Sequence, residues 1–260
     1  MKVSVVVPTK NSEEFLEECL LSLKGCKELY SDMEVIVVDN YSTDRTLDIA
    51  RELADKVYVI GPERVHQANY GVTMAQGDII YLTGSDMTRD RRFISQGVSK
   101  IDEGYDAIYM SVKTDKRVKH FLGRVKALER ECYIGTFIES ARFFKRSTWQ
   151  AFNGFNADMI GLEEDFQHRL DYNGYHTGRI DAREYHLHED DSLIKIFKKA
   201  CYYGKFMRKY LRKHKGRGFK QLNPIRPNFS RFLKEPKLLC GLIVSKLAWY
   251  GGGLWGLIWS

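Results

Sequence analysis

The sequence predicts an α/β protein built on a mostly parallel central sheet, and three observations carry that reading. Val3 to Val7 and Val35 to Val38 are continuous aliphatic runs, the composition of strands buried on both faces. Apolar residues recur at helical spacing after each run: Phe15, Leu16, Cys19, Leu20 and Leu23 after the first, Leu47, Ile49, Ala50 and Leu53 after the second. The alternation of strand and helix continues through Leu82, which is the rhythm of parallel βαβ units flanked by helices.

Each element follows from its residues. Pro8 ends the first strand, and Ser12 with Glu13-Glu14 opens the first helix. The second strand ends in Asp39-Asn40-Tyr41-Ser42-Thr43-Asp44, whose hydroxyls and carboxylates suit the cap of the second helix. A third strand is expected over Val57 to Ile60, a helix over Val65 to Ala75 and a fourth strand over Asp78 to Leu82. From about residue 90 the rhythm loosens: a helix from Arg92 to Ile101, a strand from Ala107 to Ser111, a turn at Asn153-Gly154-Phe155, a helix after Gly161, and an alternating strand from Tyr185 to Glu189. Residues 1–191 read as one domain with halves 1–88 and 89–191. Ligands of open α/β sheets bind outside the carboxyl ends of the strands, so Pro8 to Asn11, Asp39 to Asp44 and Thr83 to Asp86 are expected to converge on one crevice.

Composition narrows the class. At 260 residues, 43% hydrophobic and 29% charged, the chain is neither disordered, collagenous nor a small disulfide scaffold. Its net charge of +7 is two numbers of opposite sign: residues 192–260 hold 16 Lys and Arg against one acid, Glu235, and carry +15, leaving −8 on residues 1–191. Five scattered cysteines without a C-x-x-C pair read as reduced thiols. The apolar run at the N-terminus is too short for a signal-peptide core, so the site is expected to face the cytoplasm.

Five segments then occur in a telling order: Val5-Val6-Val7-Pro8-Thr9-Lys10-Asn11, Val37-Val38-Asp39-Asn40-Tyr41-Ser42-Thr43-Asp44, Asn69 with Gln76-Gly77-Asp78, Gly84-Ser85-Asp86, and Gly161-Leu162-Glu163-Glu164-Asp165. In this order they resemble family 2 glycosyltransferases over roughly residues 2 to 190. The resemblance implies the GT-A fold, with a Rossmann-like sheet, a nucleotide-sugar donor held by residues 1–88 and an acceptor half in 89–191. It implies donor contacts from Pro8, Thr9, Asn11, Asp39, Arg64, Asn69, Ser85, Asp86 and Glu164. Arg64 suits the phosphates, because a guanidinium makes bidentate charge-assisted bonds.

Gly84-Ser85-Asp86 stands where the family has Asp-x-Asp, so a Mg²⁺ or Mn²⁺ would rest on Asp86 alone of that motif. In Tyr185-His186-Leu187-His188-Glu189 the two imidazoles share a face of the expected strand, and His188 is favoured over His186 as a further metal ligand. The general base maps to Asp165, although acids in a helix's first turn also answer the helix dipole. Gln167 and Arg169 match the pattern of processive synthases only in part, with Leu170 in the place of a Trp, so processive polymer synthesis is not expected.

The basic C-terminal region reads as membrane-associated. Leu193, Ile196, Phe197, Ala200, Tyr203, Met207, Tyr210 and Leu211 form an apolar stripe, with lysines and arginines over the remaining surface of the helix. Each cation near an anionic leaflet contributes ~1 kcal/mol. Asn223-Pro224-Ile225-Arg226-Pro227 reads as a linker. Leu238 to Trp259 is a run of 22 residues with one charge, Lys246. A lysine at the centre of a span costs ~2.5–3.5 kcal/mol, and Gly251-Gly252-Gly253 is expected to break the helix into two membrane-dipping pieces with tryptophans at the headgroups. No nucleic-acid-binding module accompanies the charge.

The expectation is therefore an inverting glycosyltransferase, peripheral or monotopic at the cytoplasmic face of a membrane. Its sugar goes to a polyisoprenyl phosphate, lipid-linked oligosaccharide or glycolipid in cell-envelope glycan assembly. The alternatives are a catalytically impaired membrane adaptor of the same fold, favoured by Gly84, and a nucleotidyltransferase of related architecture. Sugar, nucleotide and oligomeric state are not specified by the residues.

Overall fold

The computed structural model describes residues 1–136, 139–158, 161–214 and 228–259. In chain order the elements are β1 (Val3–Thr9), α1 (Leu16–Lys27), β2 (Met33–Asp39), α2 (Thr46–Leu53), β3 (Lys56–Val59), α3 (Arg64–Met74), β4 (Ile79–Leu82), β5 (Met87–Arg89), α4 (Phe93–Asp102), β6 (Ala107–Tyr109), β7 (Val112–Thr114), α5 (Phe121–Tyr133), β8 (Ala141–Lys145), α6 (Arg146–Ala151), α7 (Leu162–Tyr172), β9 (Thr177–Arg179), β10 (Glu184–His186), α8 (Leu193–Lys213), α9 (Ser230–Leu233) and α10 (Pro236–Ile258). They fall into two units. The first comprises Met1–Ser111, Ser140–Ala157 and Gly161–His186; the second comprises Val112–Glu139 and Leu187–Ser260 with a short piece around Asp158. The sequence expectation drew its boundary at residue 191, whereas residues 112–139 group with the C-terminal helices.

The first unit carries a seven-stranded sheet in the order β3-β2-β1-β4-β8-β6-β9. β1 pairs in parallel with both β2 and β4, while β8 runs antiparallel between β4 and β6. Every residue of β1 and β2 is buried, as continuous aliphatic runs require. Side chains alternate between faces along a strand, so Val3, Val5 and Val7 pack with Leu16, Leu20 and Leu23 of α1 and with Phe93 of α4. Val6 joins Val65, Ala68 and Val72 of α3 and Phe166 and Leu170 of α7 on the other face. Helix α3 lies close to that face because Gly71 has no side chain, and a Cβ there would meet Val6 and Val38. A smaller ladder pairs β5 with β10 in antiparallel register, placing His186 opposite Met87 and Glu184 opposite Arg89.

In the second unit α5, α9 and α10 share a small core of Val125, Cys132, Phe232, Leu238 and Leu242. Beside it Glu129 of α5 is buried and accepts from Lys126 (2.9 Å), from Tyr133 Oη and from Lys246 of α10. Burial disfavours its charge, but the two ammonium groups outweigh that and hold the carboxyl far below the usual range.

Helix α10 corrects the expected break at its glycines, since Pro236–Ile258 is one continuous helix. The glycines serve close packing against α8: a Cβ at Gly252 would fall on the Phe197 carbonyl oxygen, and one at Gly256 on that of Cys201. Helix α10 is long and apolar enough to cross a membrane. The expected linker at residues 223–227 lies outside the described residues. Replacing Gly252 by Val should destabilise this helix pair by about 1–3 kcal/mol through overpacking. Gly253→Ala, where the added Cβ meets nothing within 4 Å, should leave the urea-unfolding midpoint unchanged or raise it.

Candidate active site

β1 lies at the point where strand order reverses, with β2 and β3 to one side and β4 to the other. A crevice opens at such a switch point, beyond the carboxyl ends of the strands. Its floor is polar and tightly bonded. Asp39, fully buried at the end of β2, accepts at Oδ1 from Thr9 Oγ1 (2.9 Å) and Ser42 Oγ (2.5 Å), and at Oδ2 from the Ser42 backbone N–H (2.7 Å). Pro8 and Thr9 pair with Val38 and Asp39 as the last rungs of the β1–β2 ladder.

Asn11, in the left-handed region at φ 46°, accepts at Oδ1 from the Thr43 N–H (2.9 Å) and donates its own N–H to Ser42 Oγ (2.8 Å). Asn11 and Ser42 thus tie the loops after β1 and β2 together. Gln67 of α3, absent from the sequence expectations, is buried and donates through Nε2 to the carbonyls of Thr9 (2.8 Å) and Val38 (2.6 Å). It satisfies two carbonyls at the strand ends, groups that burial would otherwise penalise.

Beyond β4 the chain turns through Gly84-Ser85-Asp86. Ser85 Oγ donates to Ser12 Oγ (2.9 Å), pinning this turn to the start of the first helical segment. Asp86 Oδ2 lies 3.2 Å from Nε2 of His186, with the two side chains 35% and 19% exposed. Partial burial raises the cost of the Asp86 charge, yet the imidazole contact outweighs it and keeps the carboxyl well below its ordinary range. A Cβ at Gly84 would come within 2.7 Å of Asp86 Oδ1, so glycine makes room for the carboxylate.

His186, rather than the expected His188, is the histidine beside Asp86. The strand ends at His186, so the expected alternation does not extend to His188, which belongs to the second unit. Among the described residues no three His, Cys, Asp or Glu side chains cluster to hold a metal by themselves. Asp86 and His186 suit an ion whose other ligands come from phosphate oxygens and water.

A second acidic group begins α7. Glu163 Oε1 pairs with Arg64 Nη1 of α3 at 2.6 Å. Burial works against the Glu163 charge, but Arg64, with Arg142 further off, keeps its pKa below normal. Glu164 is pushed the other way, first by burial and then by the charge of Glu163. Two adjacent carboxyls are thereby driven apart in acidity.

Asp165 is a different case. It is fully buried and faces away from this pair, with Oδ2 3.0 Å from Nε of Arg169 one turn later. The Arg169 guanidinium stacks on Phe152 and Phe166. Burial closes the Asp165 carboxylate to an incoming hydroxyl, which corrects its expected role as base; Glu163 and Glu164 are the carboxyls of the motif that keep partial exposure. Asn69 is likewise committed, donating from Nδ2 to the Phe155 carbonyl (2.9 Å) and accepting the Phe155 N–H at Oδ1 (2.8 Å), so it clamps a loop and its amide is spent there.

Behind the crevice lies a charged network that the sequence expectations did not contain. Glu184, fully buried on β10, accepts from Tyr81 Oη, from Thr83 Oγ1 (3.0 Å) and from Arg142 of β8. Arg89 donates to the carbonyls of Met87 (2.6 Å) and Cys19 (3.2 Å), and its neighbours Tyr81, Cys19 and Glu184 raise its pKa despite its burial. The sequence signal for this network is slight: a lone Arg in each of β5 and β8 and a lone Glu in β10.

A buried, mostly parallel sheet with a polar crevice at its switch point, an Asp-His pair after the fourth strand and an acidic helix start defines an α/β fold whose candidate site lies at the carboxyl ends of its strands. The pattern of glycosyl transferase family 2 matches residues 4–161, and the chain belongs to that family. The match spans most of the first unit, from β1 to the start of α7.

Among curated relatives, the undecaprenyl-phosphate 4-deoxy-4-formamido-L-arabinose transferase of Proteus mirabilis is 32% identical over 41% of this chain and 36% of its own length. The abequosyltransferase RfbV of Salmonella typhimurium is 26% identical over 62% and 57%. The chain thus spans about a third to somewhat over half of these relatives. In solved structures, TarS residues 1–349 of S. aureus with UDP-GlcNAc superposes with a TM-score of 0.59 at 18% identity, over 80% of this chain and 66% of that one. A mannosyltransferase of Pyrobaculum calidifontis with GDP-Man and Mn²⁺ gives 0.62 at 19% identity, over 99% and 72%. These likenesses establish the GT-A fold.

Asp165→Asn should leave Arg169 a buried charge without its counter-ion and cost about 3–5 kcal/mol. Denaturant unfolding would show it as a lowered midpoint.

Proposed function

We propose that the protein is an inverting glycosyltransferase that moves a sugar from a nucleotide-sugar donor to a lipid-linked acceptor at a membrane surface. The observation that carries the reading is the convergence, at one sheet edge, of a buried base-pocket carboxylate (Asp39), a phosphate-side pair (Asp86 and His186) and an acceptor-side acid pair (Glu163 and Glu164).

In this reading Thr9, Asn11 and Ser42 hold the two loops against the nucleoside, and Asp39, buried beneath them, fixes Thr9 and Ser42 where the base docks. Ser85 fixes the turn that presents Asp86. Mg²⁺ or Mn²⁺ held by Asp86 and His186 would supply charge neutralisation of the leaving diphosphate, as an oxygen-preferring ion does. Arg64 sits beside both groups and adds its positive charge on the same side. The Glu163–Glu164 pair faces the acceptor and takes the proton of an attacking hydroxyl. For a phosphate acceptor, already ionised, that proton transfer is not required. Support for a metal comes from related structures, the mannosyltransferase with GDP-Man and Mn²⁺ and a glucosyl-3-phosphoglycerate synthase with Mn²⁺ and UDP.

The membrane reading rests on the second unit. Lys195, Lys198, Lys199, Lys205, Arg208, Lys209, Arg212 and Lys213 are exposed along α8. Ile243, Val244, Leu247, Leu254, Trp255, Ile258 and Trp259 are exposed on or at the end of α10. At 100° per residue these apolar side chains fall on one face of the helix. An exposed apolar face with a basic companion helix fits an anionic bilayer. The Proteus relative is named for a lipid-linked acceptor, undecaprenyl phosphate, which gives such attachment a purpose. The five cysteines, all free, fit the cytoplasmic side. An adaptor without turnover finds no support in Gly84, since that glycine accommodates the Asp86 carboxylate.

Three outcomes are expected. With a hydroxyl acceptor, Glu163→Gln or Glu164→Gln should lower kcat by about 10²–10⁴-fold, the usual yield of a general base. Full turnover in both variants would remove the acid pair from the chemistry. The acid limb of kcat should also lie above the ordinary glutamate value of 4.5, because Glu164 is shifted upward and loses its charge earlier as pH falls. In flotation assays the protein should bind vesicles containing phosphatidylglycerol more tightly than pure phosphatidylcholine, and salt should weaken the difference. Equal partition between the two lipids would sink the electrostatic part of the attachment.

A further inference from the structure

Arg142 has a placement that its pairing with the buried Glu184 explains only in part. It lies on β8 next to Phe143, which pairs with Tyr81 of β4, so it stands level with the carboxyl end of β4 just before Thr83-Gly84-Ser85-Asp86. On its other side the register breaks: Ile108 pairs with Phe143 and Tyr109 with Ala141, leaving Arg142 as the extra residue of a β-bulge. Bulges of this kind redirect one side chain and are frequent beside active sites.

The distortion is supported from outside the ladder. The N–H of Ala141, next to the bulge, is taken by Gln167 Oε1 of α7 at 2.9 Å, and Gln167 Nε2 donates to Tyr109 Oη at 2.8 Å. Gln167 is buried and is the second residue after Asp165 in the acidic motif, so the helix that presents Glu163 and Glu164 also props the bulge.

The guanidinium is held at one end only. Nη2 donates to the buried carboxylate of Glu184, and among the described residues Nε and Nη1 donate to nothing. The side chain is 14% exposed. Arg64, the other arginine near the acid pair, is already committed to Glu163 at 2.6 Å. Arg142 acts electrostatically on both Glu163 and Glu164, which puts its charge on the acceptor side of the crevice. An anion approaching two carboxyls needs a cation to offset their repulsion, and a guanidinium with a free edge binds phosphate through parallel N–H bonds.

We infer that Arg142, turned by the bulge in β8 and anchored by Glu184, binds a phosphate group of the substrate, and that this phosphate belongs to the acceptor. The inference rests on the glycosyltransferase reading for the identity of the two sides of the crevice. Acceptors of the polyprenyl phosphate class are then favoured over neutral glycolipids, since only the former present an anion at this position.

Calorimetric titration separates the sources of the phosphate. Farnesyl phosphate, farnesol and UDP or GDP with Mn²⁺ are the probes, against the full chain, the variant Glu184→Gln and the variant Arg142→Gln/Glu184→Gln, in which the buried carboxylate is neutralised together with its partner. Farnesyl phosphate should bind the double variant about 10- to 100-fold more weakly than it binds Glu184→Gln alone, the worth of lost charge-assisted hydrogen bonds, while nucleotide affinity differs between these two variants by no more than about twofold. Farnesol should bind all three proteins equally.

Loss of nucleotide affinity instead would assign Arg142 to the donor diphosphate. Unchanged affinity for both anions would make it a structural residue, and failure of farnesyl phosphate to bind the unmodified protein would also overturn the inference. If the double variant does not fold, Arg142→Lys serves, because it keeps the charge beside Glu184 and loses the planar fork. A several-fold weaker farnesyl phosphate affinity is then expected, and an unchanged one overturns the proposal. Should the unmodified protein bind farnesyl phosphate yet transfer no sugar, the glycosyltransferase reading fails while the anion site stands.

Discussion

A carboxylate with no access to solvent costs several kcal/mol unless positive charge and hydrogen bonds surround it, and Glu184 is in that position. Its partners come from three places: Tyr81 and Thr83 at the end of β4, Arg142 on β8, with the charge of Arg89 on β5 nearby. Satisfying this one group fixes where β10 meets β4 and β8. The next outward position on β10 is then His186, at the level of Met87 and within reach of Asp86. The arrangement of Asp86 and His186 therefore follows from an interaction beneath the crevice.

The same logic applies to the nucleoside side. Asp39 and the strand-end carbonyls are held by Thr9, Ser42 and Gln67, so the polar groups of the crevice are set by bonds among themselves. Preorganised groups need little rearrangement when a ligand arrives. The apolar strands contribute by exclusion: because β1 and β2 are buried on both faces, their polar ends are the only places where this half can meet a ligand.

The parallel half was legible because its signals are local. Val3 to Val7 and Val35 to Val38 declare buried strands, and their ends declare the crevice. What failed to show depended on orientation in three dimensions. Glu163, Glu164 and Asp165 are consecutive acids, each turned by about 100° from the last, and only the packing of α7 decides that Asp165 meets Arg169 while Glu163 meets Arg64. His186 and His188 were separable only by knowing where β10 ends. Gly251, Gly252 and Gly253 look like a helix break in one dimension; in three they let α8 and α10 approach backbone to backbone. Arg142 and Glu184 are 42 residues apart, and no spacing rule links them.

The position of Glu184 along the chain has a consequence for synthesis on the ribosome. Tyr81 precedes it by 103 residues and Thr83 by 101, so β1 to β4 are translated long before the carboxylate that ties the end of β4 to β10. Until then Arg89 lacks the counter-charge it has in the finished fold and the turn bearing Asp86 lacks its histidine. The nascent first unit is a sheet with an unfinished rim, and its crevice is completed by the last strand to emerge. Residues 4–161, which match the family pattern, stop short of that strand, so the family match and the compact unit are different lengths of chain.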